Sequence, residues 1–496
     1  MDLFHIGSVE AIRVFHQRWG VRSIPRRLFS FSALRQGEDM SITKELAGYC
    51  SRLKFNNLPS EVVDCVKYRF LDFISVACRG SKEKPAKTVY RLVKEMEKGQ
   101  GVMVGTREKA PYLYSALANG TSSHSIEMDD VHNESSLHPG VVVFPSALAT
   151  SEMTGASGKS FILAVVLGYE VVVRLGSALG PENSYKRGFH PTGTCGTFGS
   201  SVASAKTMGL QEEKILNAMG ISGSQAAGSM EYLAQGAWTK PFHAGWAAHS
   251  GMVAAMLSRK GFKGPSSILE GRDGFLHAYS NGADPAKVLE GIGSGFQILR
   301  ASVKVHACCR YMHPPIDAVL KIIDENNLQA EQVKKIKVGV LKAGAQLIAE
   351  PAEGKITPQS IVDAQFSMPF GAAAALLYGK AGLREFQPSV IRSKAVRKMM
   401  RKVECTVDPE LERSFPKQWR ATAEILTQDE KSYSTTVEYP KGDPENPLSW
   451  EEMKERFHDL TGRIMKKEQR LKIIEGVGRL DGIKDIGKWS PLLLIH

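Results

Sequence analysis

The feature that most constrains this chain is a change of hydrophobic period near Arg300. From Ser41 to about Arg300, apolar residues recur at helical spacing, as over residues 60–78 and 145–152, with Ala, Gly and Ser where helices would approach closely. This predicts an all-helical domain over residues 41–300. After Arg300 the runs 335–341, 402–407, 421–427 and 434–439 are short and strand-patterned, separated by helical stretches over 314–326 and 361–378. That alternation predicts an α+β domain over 301–440. Beyond Pro447 helical spacing returns over 449–461 and 468–480, with Ser449 and Glu452 spaced as a capping box. Residues 441–496 are therefore expected to be C-terminal helices packing on the helical domain. The fold class is mainly α: a large all-helical domain plus a smaller α+β lid domain.

With 496 residues and 43% hydrophobic content, the chain can bury substantial cores. Its longest apolar stretch, 162–173, is interrupted by Glu170 and is too short for the roughly 20 residues of a membrane span, so no membrane association is expected. Seven cysteines without a C-x-x-C pair fit neither a disulfide framework nor a zinc ribbon and suggest a reducing compartment. The net charge of +12 invites a nucleic-acid reading, but Arg13, Arg18, Arg22, Arg26, Arg27 and Arg35 supply half of it from an acid-free segment. Ala11, Ile12, Phe15 and Trp19 lie at helical spacing there. Residues 1–40 are read as a mitochondrial presequence, against a disordered basic tail, and no nucleic-acid partner is expected.

Four segments carry chemistry. Residues 124–140 hold three histidines and four carboxylates. The pattern over 111–131 predicts a helix with Glu127, Asp129 and Asp130 at its C-terminal end, where the macrodipole disfavours acids by roughly 0.3–1 kcal/mol each. Such placement suits either a site or a solvated helix end. His124 and Glu127 would share a helix face with His132 and His138 nearby, but H-E-x-x-H order is lacking and no metal site is assigned. In the second segment, 187–199, Gly193, Gly196 and Gly199 alternate with Thr192, Thr194 and Thr197 after His190. This is either a loop aiming N–H groups at an anion or a run permitting close helix packing. The third, 231–249, sets Lys240 between Trp238 and Pro241, either as a desolvated clamp for a carboxylate or as a snorkelling surface lysine. His243 and His249 there read as packing or helix-surface residues. The fourth, 304–317, lies at the inferred domain junction, a favoured place for a cleft, and offers Cys309, Arg310 and His313. The His313-Pro-Pro sequence equally suits the start of a helix.

Taken in order, H-x-x-E-x-D-D-x(7)-H-P-G, G-F-H-P-T, W-T-K-P-x-H-x-G-W-A-A-H and A-C-C-R-x-x-H-P-x-I-D-A resemble the MmgE/PrpD family over nearly the whole chain after Ser41. The resemblance implies a helical domain with an α+β lid, usually as a homodimer, acting on small polycarboxylates without metal or organic cofactor. It implies His138, His190 and Lys240 as catalytic residues with Glu127 and Cys309 in the same pocket; from the segments themselves, Asp130, Thr192, Arg310 and His313 join Glu127 and Cys309 as substrate-binding candidates. Glu127 stands where the family's animal decarboxylases have Asp, and Val131 where they have Thr. The expected function is a lyase of a small tricarboxylate, first a carboxy-lyase acting on cis-aconitate. The alternatives are a hydro-lyase acting on 2-methylcitrate or an alkylcitrate, an iminodisuccinate-type epimerase, and an inactive polycarboxylate-binding homologue.

Overall fold

The computed structural model describes residues 41–96 and 98–495; the basic segment read as a presequence lies outside them. The helical part begins with α1 (Ile42–Arg52), α2 (Ser60–Gly80) and α3 (Lys84–Lys94). A two-stranded ladder of β1 (Gly101–Val102) and β2 (Lys109–Ala110) leads into α4 (Tyr112–Ser123). Strand β3 (Val131–His132) precedes α5 (Gly140–Thr154), α6 (Gly158–Leu179), α7 (Pro191–Thr207), α8 (Glu212–Gly223) and α9 (Thr239–Arg259).

Helix α6 is the hub. Its 22 residues are long and apolar enough to cross a membrane by length and composition, more than the 162–173 run suggests, yet 94% of its apolar window is buried inside the protein. Within it Arg174 Nε donates to Glu170 Oε2 at 2.9 Å, so the one acid in the apolar run is paired. The segment 187–199 is not an anion-cradling loop: the helix α7 starts at Pro191 and includes all three glycines. A Cβ on Gly199 would lie 2.0 Å from Val172 Cγ2, and one on Gly196 2.8 Å from Val142 Cγ1. These glycines set the spacing of α7 against α6 and α5, the close-packing alternative.

Strand β4 (Ala301–Ser302) pairs antiparallel with β3, His132 opposite Ala301, and ties the end of the helical part to the loop after α4. Then come α10 (His313–Asn326), β5 (Val333–Val340), α11 (Met368–Tyr378), β6 (Val403–Val407), β7 (Ala421–Thr427) and β8 (Ser432–Val437). The sheet order is β6-β5-β7-β8, with β5 and β6 parallel and the other pairs antiparallel. Buried and half-buried residues alternate along β7, so one face meets the helices and the other is wetter. The helical pattern over 361–378 breaks in two, because Ser367 caps α11 by accepting from the Phe370 N–H and Pro369 sits in its first turn.

One hydrophobic core runs through the helices up to Val303 and takes in Met453 and Phe457 of α12 (Trp450–Thr461) and Ile473 and Val477 of α13 (Lys467–Gly478). A second is built from residues 307–425 with Ile126 and Met128 inserted into it. The Ser449–Glu452 capping box forms, and Arg456 of α12 bonds to Asp72 of α2 at 2.8 Å and to the carbonyl of Met128 at 2.7 Å.

Candidate active site

The expected helix over 111–131 stops at Ser123. Thr121, Ser122, Ser123 and Ser125 all donate their hydroxyls to carbonyls three or four residues back, which competes with continuing the helix. The acids therefore stand in a buried loop and not at a helix end. Glu127 takes a left-handed φ of 55°, unusual for a side-chain-bearing residue. The loop then alternates: Ile126 and Met128 enter the second core, while Glu127 and Asp129 belong to a polar site.

At its centre Glu127 bridges two ammonium groups, Lys240 Nζ at Oε1 and Lys304 Nζ at Oε2, the latter at 3.0 Å. All three residues are buried. Burial alone would raise the carboxyl pKa of Glu127, but the two lysines outweigh it and hold the carboxyl far below its ordinary range. Burial likewise opposes the charge on Lys304, and Glu127 and Asp129 reverse that and raise its pKa. Lys240 is the second residue of α9 and its ammonium lies 5.3 Å from the centre of the Phe366 ring, so it is a desolvated cation and not a snorkelling one.

Beside this triad Asp129 Oδ2 accepts from two imidazoles, His124 Nδ1 at 2.9 Å and His138 Nδ1 at 2.8 Å. Burial penalises the Asp129 carboxylate, and the two rings overcome that and depress its pKa. With the proton of His138 on Nδ1, also 2.9 Å from the Asp130 carbonyl, Nε2 is left free to exchange a proton. Burial pushes the pKa of His138 down to about 4, against the opposing pull of Asp129. His190, immediately before α7, stacks on His124 at 5.9 Å and lies Nδ1 to Nδ1 at 3.2 Å from His243. Burial and the neighbouring His243, His124 and Lys240 keep His190 neutral well below its usual range. Among the described residues, His124, Asp129 and His138 are a trio whose ligand atoms lie within 4.8 Å of one another. Their closest separations of 2.8 and 2.9 Å are those of hydrogen bonds, whereas ligands around tetrahedral zinc at about 2.0 Å stand roughly 3.3 Å apart.

Glu127, His138, His190, Lys240 and Cys309 of the expected set line one cavity of about 50 Å³, joined by Val131, Lys304, Phe366 and the tyrosines Tyr185, Tyr232 and Tyr311. Asp130, Thr192 and His313 do not line it. Asp130 accepts from Gly140 N–H at 2.9 Å and from the Tyr169 hydroxyl at 2.5 Å, anchoring α5, and burial raises its pKa to about 7. The Thr192 hydroxyl accepts from the His138 N–H at 3.1 Å and so positions that residue's backbone. His313 is fully buried as the first residue of α10, the helix-start alternative. Arg310 lines the cavity, but its guanidinium is engaged by Asp443 and by Asn133, the latter at 3.2 Å. Lys304 has no role in the reading of the sequence, and His124, Asp129 and His243, named there, were not placed in the site; the structure brings all four to it. The β3–β4 pairing that brings Lys304 to Glu127 is two residues long and leaves no periodic trace.

Residues 44–287 match the model of the MmgE/PrpD N-terminal domain and residues 306–480 that of the C-terminal domain. The cis-aconitate decarboxylase-like protein oryM of Aspergillus oryzae is 26% identical over 91% of this chain and 97% of its own length. The cis-aconitate decarboxylase of Aspergillus terreus is 27% identical over 91% and 95%, and that of Mus musculus 26% identical over 91% and 93%. The chain belongs to the MmgE/PrpD family, and at the level of the family it is grouped with lyases.

Proposed function

We propose that this protein is a carboxy-lyase that converts cis-aconitate to an unsaturated dicarboxylate without a cofactor. The observation that carries this reading is the opening of two lysine ammonium groups and an Asp129-held imidazole onto the same cavity. The entering trianion competes with Glu127 for Lys240 and Lys304, an exchange of one carboxylate for another in a site already desolvated. The bond from the methylene carbon to its carboxylate carbon then breaks and CO₂ leaves. Its electron pair forms a new double bond to the central carbon, and the old π pair takes a proton at the far alkene carbon. The substrate's own alkene receives the electrons, so no external electron sink is required. His138 supplies the proton through Nε2. Its free-site pKa near 4 is raised when a trianion arrives beside it, which makes protonation of the imidazole part of binding. His190, packed against His124 and His243, is a second imidazole lining the same cavity.

The names of the relatives support decarboxylation over dehydration. The same imidazoles would serve a hydro-lyase, one removing a Cα proton and the other protonating the departing hydroxyl. The test is incubation of the protein with cis-aconitate and with 2-methylcitrate, followed by NMR. Release of CO₂ from cis-aconitate supports the proposal, loss of water from 2-methylcitrate alone replaces it with the hydro-lyase, and reaction with neither overturns both.

A further inference from the structure

Away from the active site, α3 and the turn between β1 and β2 enclose a cleft of about 680 Å³, within the size range of small-molecule sites. Its lining includes the cations Lys82, Lys84, Lys87, Arg91, Lys94 and Arg107 and the carboxylate Glu108. Lys84, Lys87, Arg91 and Lys94 follow one another at intervals of three and four residues, so a single face of α3 carries them. Lys94 is paired with Glu108 at 2.7 Å. Among the described residues Lys84, Lys87, Arg91 and Arg107 have no carboxylate partner. Burial, with smaller contributions from Lys87 and Arg79 nearby, pushes the pKa of Lys82 below its ordinary value. Trp238 also lines the cleft, 49% exposed, an uncommon position for so large an apolar ring.

We propose that this cleft binds a nucleoside polyphosphate, its phosphates on the α3 cations and its base against Trp238. Unpaired cations on one helix face give the phosphates several donors at once, and the indole offers a flat surface for the base. The site is also connected to the chemistry. Trp238 directly precedes α9 and stands two residues before Lys240, and the stretch leading to it contributes Met230, Tyr232 and Leu233 to the catalytic cavity. A ligand that fixes Trp238 therefore restrains the segment that carries one of the two lysines, and the bound nucleotide acts as a regulator of that wall.

The proposal is tested on the full chain at low salt by calorimetric titration with ATP and with inorganic tripolyphosphate, and by hydrogen exchange of residues 229–240. ATP is expected to bind about tenfold or more tightly than tripolyphosphate, and the double variant K87E/R91E to weaken ATP about tenfold or more, as expected for lost charge-assisted bonds. Trp238→Ala is expected to reduce ATP to the affinity of tripolyphosphate, and ATP to slow exchange over 229–240 in the unsubstituted protein. All three substituted residues are exposed, and circular dichroism checks that the variants fold. Equal affinity for ATP and tripolyphosphate, unchanged ATP binding in K87E/R91E, or unchanged exchange over 229–240 would overturn the proposal. None of these readouts depends on which reaction the active site performs.

Discussion

Asp129 serves two imidazoles with one oxygen, so a change of a single atom there reaches both. Asp129→Asn leaves the shape but removes the charge and places an amide N–H₂ where an acceptor stood or leaves one ring unbonded. The Asp130 carbonyl still holds the proton on His138 Nδ1, but the charge that favours the protonated imidazole is gone. For the proposed reaction, turnover of cis-aconitate is expected to fall about 10²-fold or more, the usual worth of a positioned acid, with an unchanged circular dichroism spectrum. Activity within threefold of the unsubstituted protein would show that the Asp129 charge does not sustain His138 as the acid. At this scale the sequence revealed residues whose type is odd for their neighbourhood. Lys240 among Trp238, Pro241 and Phe242, and His138 and His190 beside prolines, stand out without coordinates. Asp129 did not separate from Asp130, because adjacent acids look alike until the loop turns one toward imidazoles and the other toward Tyr169 and α5.

Elements position these residues through close helix contacts. Gly245 of α9 faces α4, where an added Cβ would lie 2.3 Å from the Leu117 carbonyl oxygen and 2.3 Å from the Thr121 hydroxyl. Gly245→Ala must therefore push α9 outward, which is expected to cost about 1–3 kcal/mol of stability. Because Lys240 rides on the same helix, KM for the tricarboxylate should rise as well. Thermal melting and initial rates check the two effects, and a KM that stays constant while Tm falls would separate the helix contact from the site. Glu152 of α5 accepts the Val102 N–H at 3.2 Å, and burial raises its pKa to about 8. The folded protein keeps this proton between about pH 4.5 and 8 while the unfolded chain releases it, so stability falls as pH rises through that window. Glu152→Gln should flatten the decline in Tm between pH 5 and 8. Periodicity located the four long strands and helices such as α2, α5 and α10, since apolar spacing is what buries them. It could not find where α4 stops, because hydroxyls that bond backward end a helix without altering its apolar pattern.

For the whole molecule, α9 presents Phe242, Trp246 and Leu257 exposed along one face, with the first two rings stacked at 5.9 Å. A homodimer that covers this stripe is our expectation. Light scattering should give twice the chain mass, and Trp246→Glu should return the mass of one chain; a monomer in the unsubstituted protein would refute it. The two-part organisation was legible from the change of period near Arg300, whereas the shared cavity was not, because its walls come from residues as far apart as Glu127 and Trp419. That cavity holds only about 50 Å³, room for a few waters and not for a tricarboxylate. Admission of a guest thus requires the walls to part and then meet again, so the pace of catalysis has a mechanical ceiling. A solvent made more viscous would slow such an enzyme even if every chemical step were left untouched.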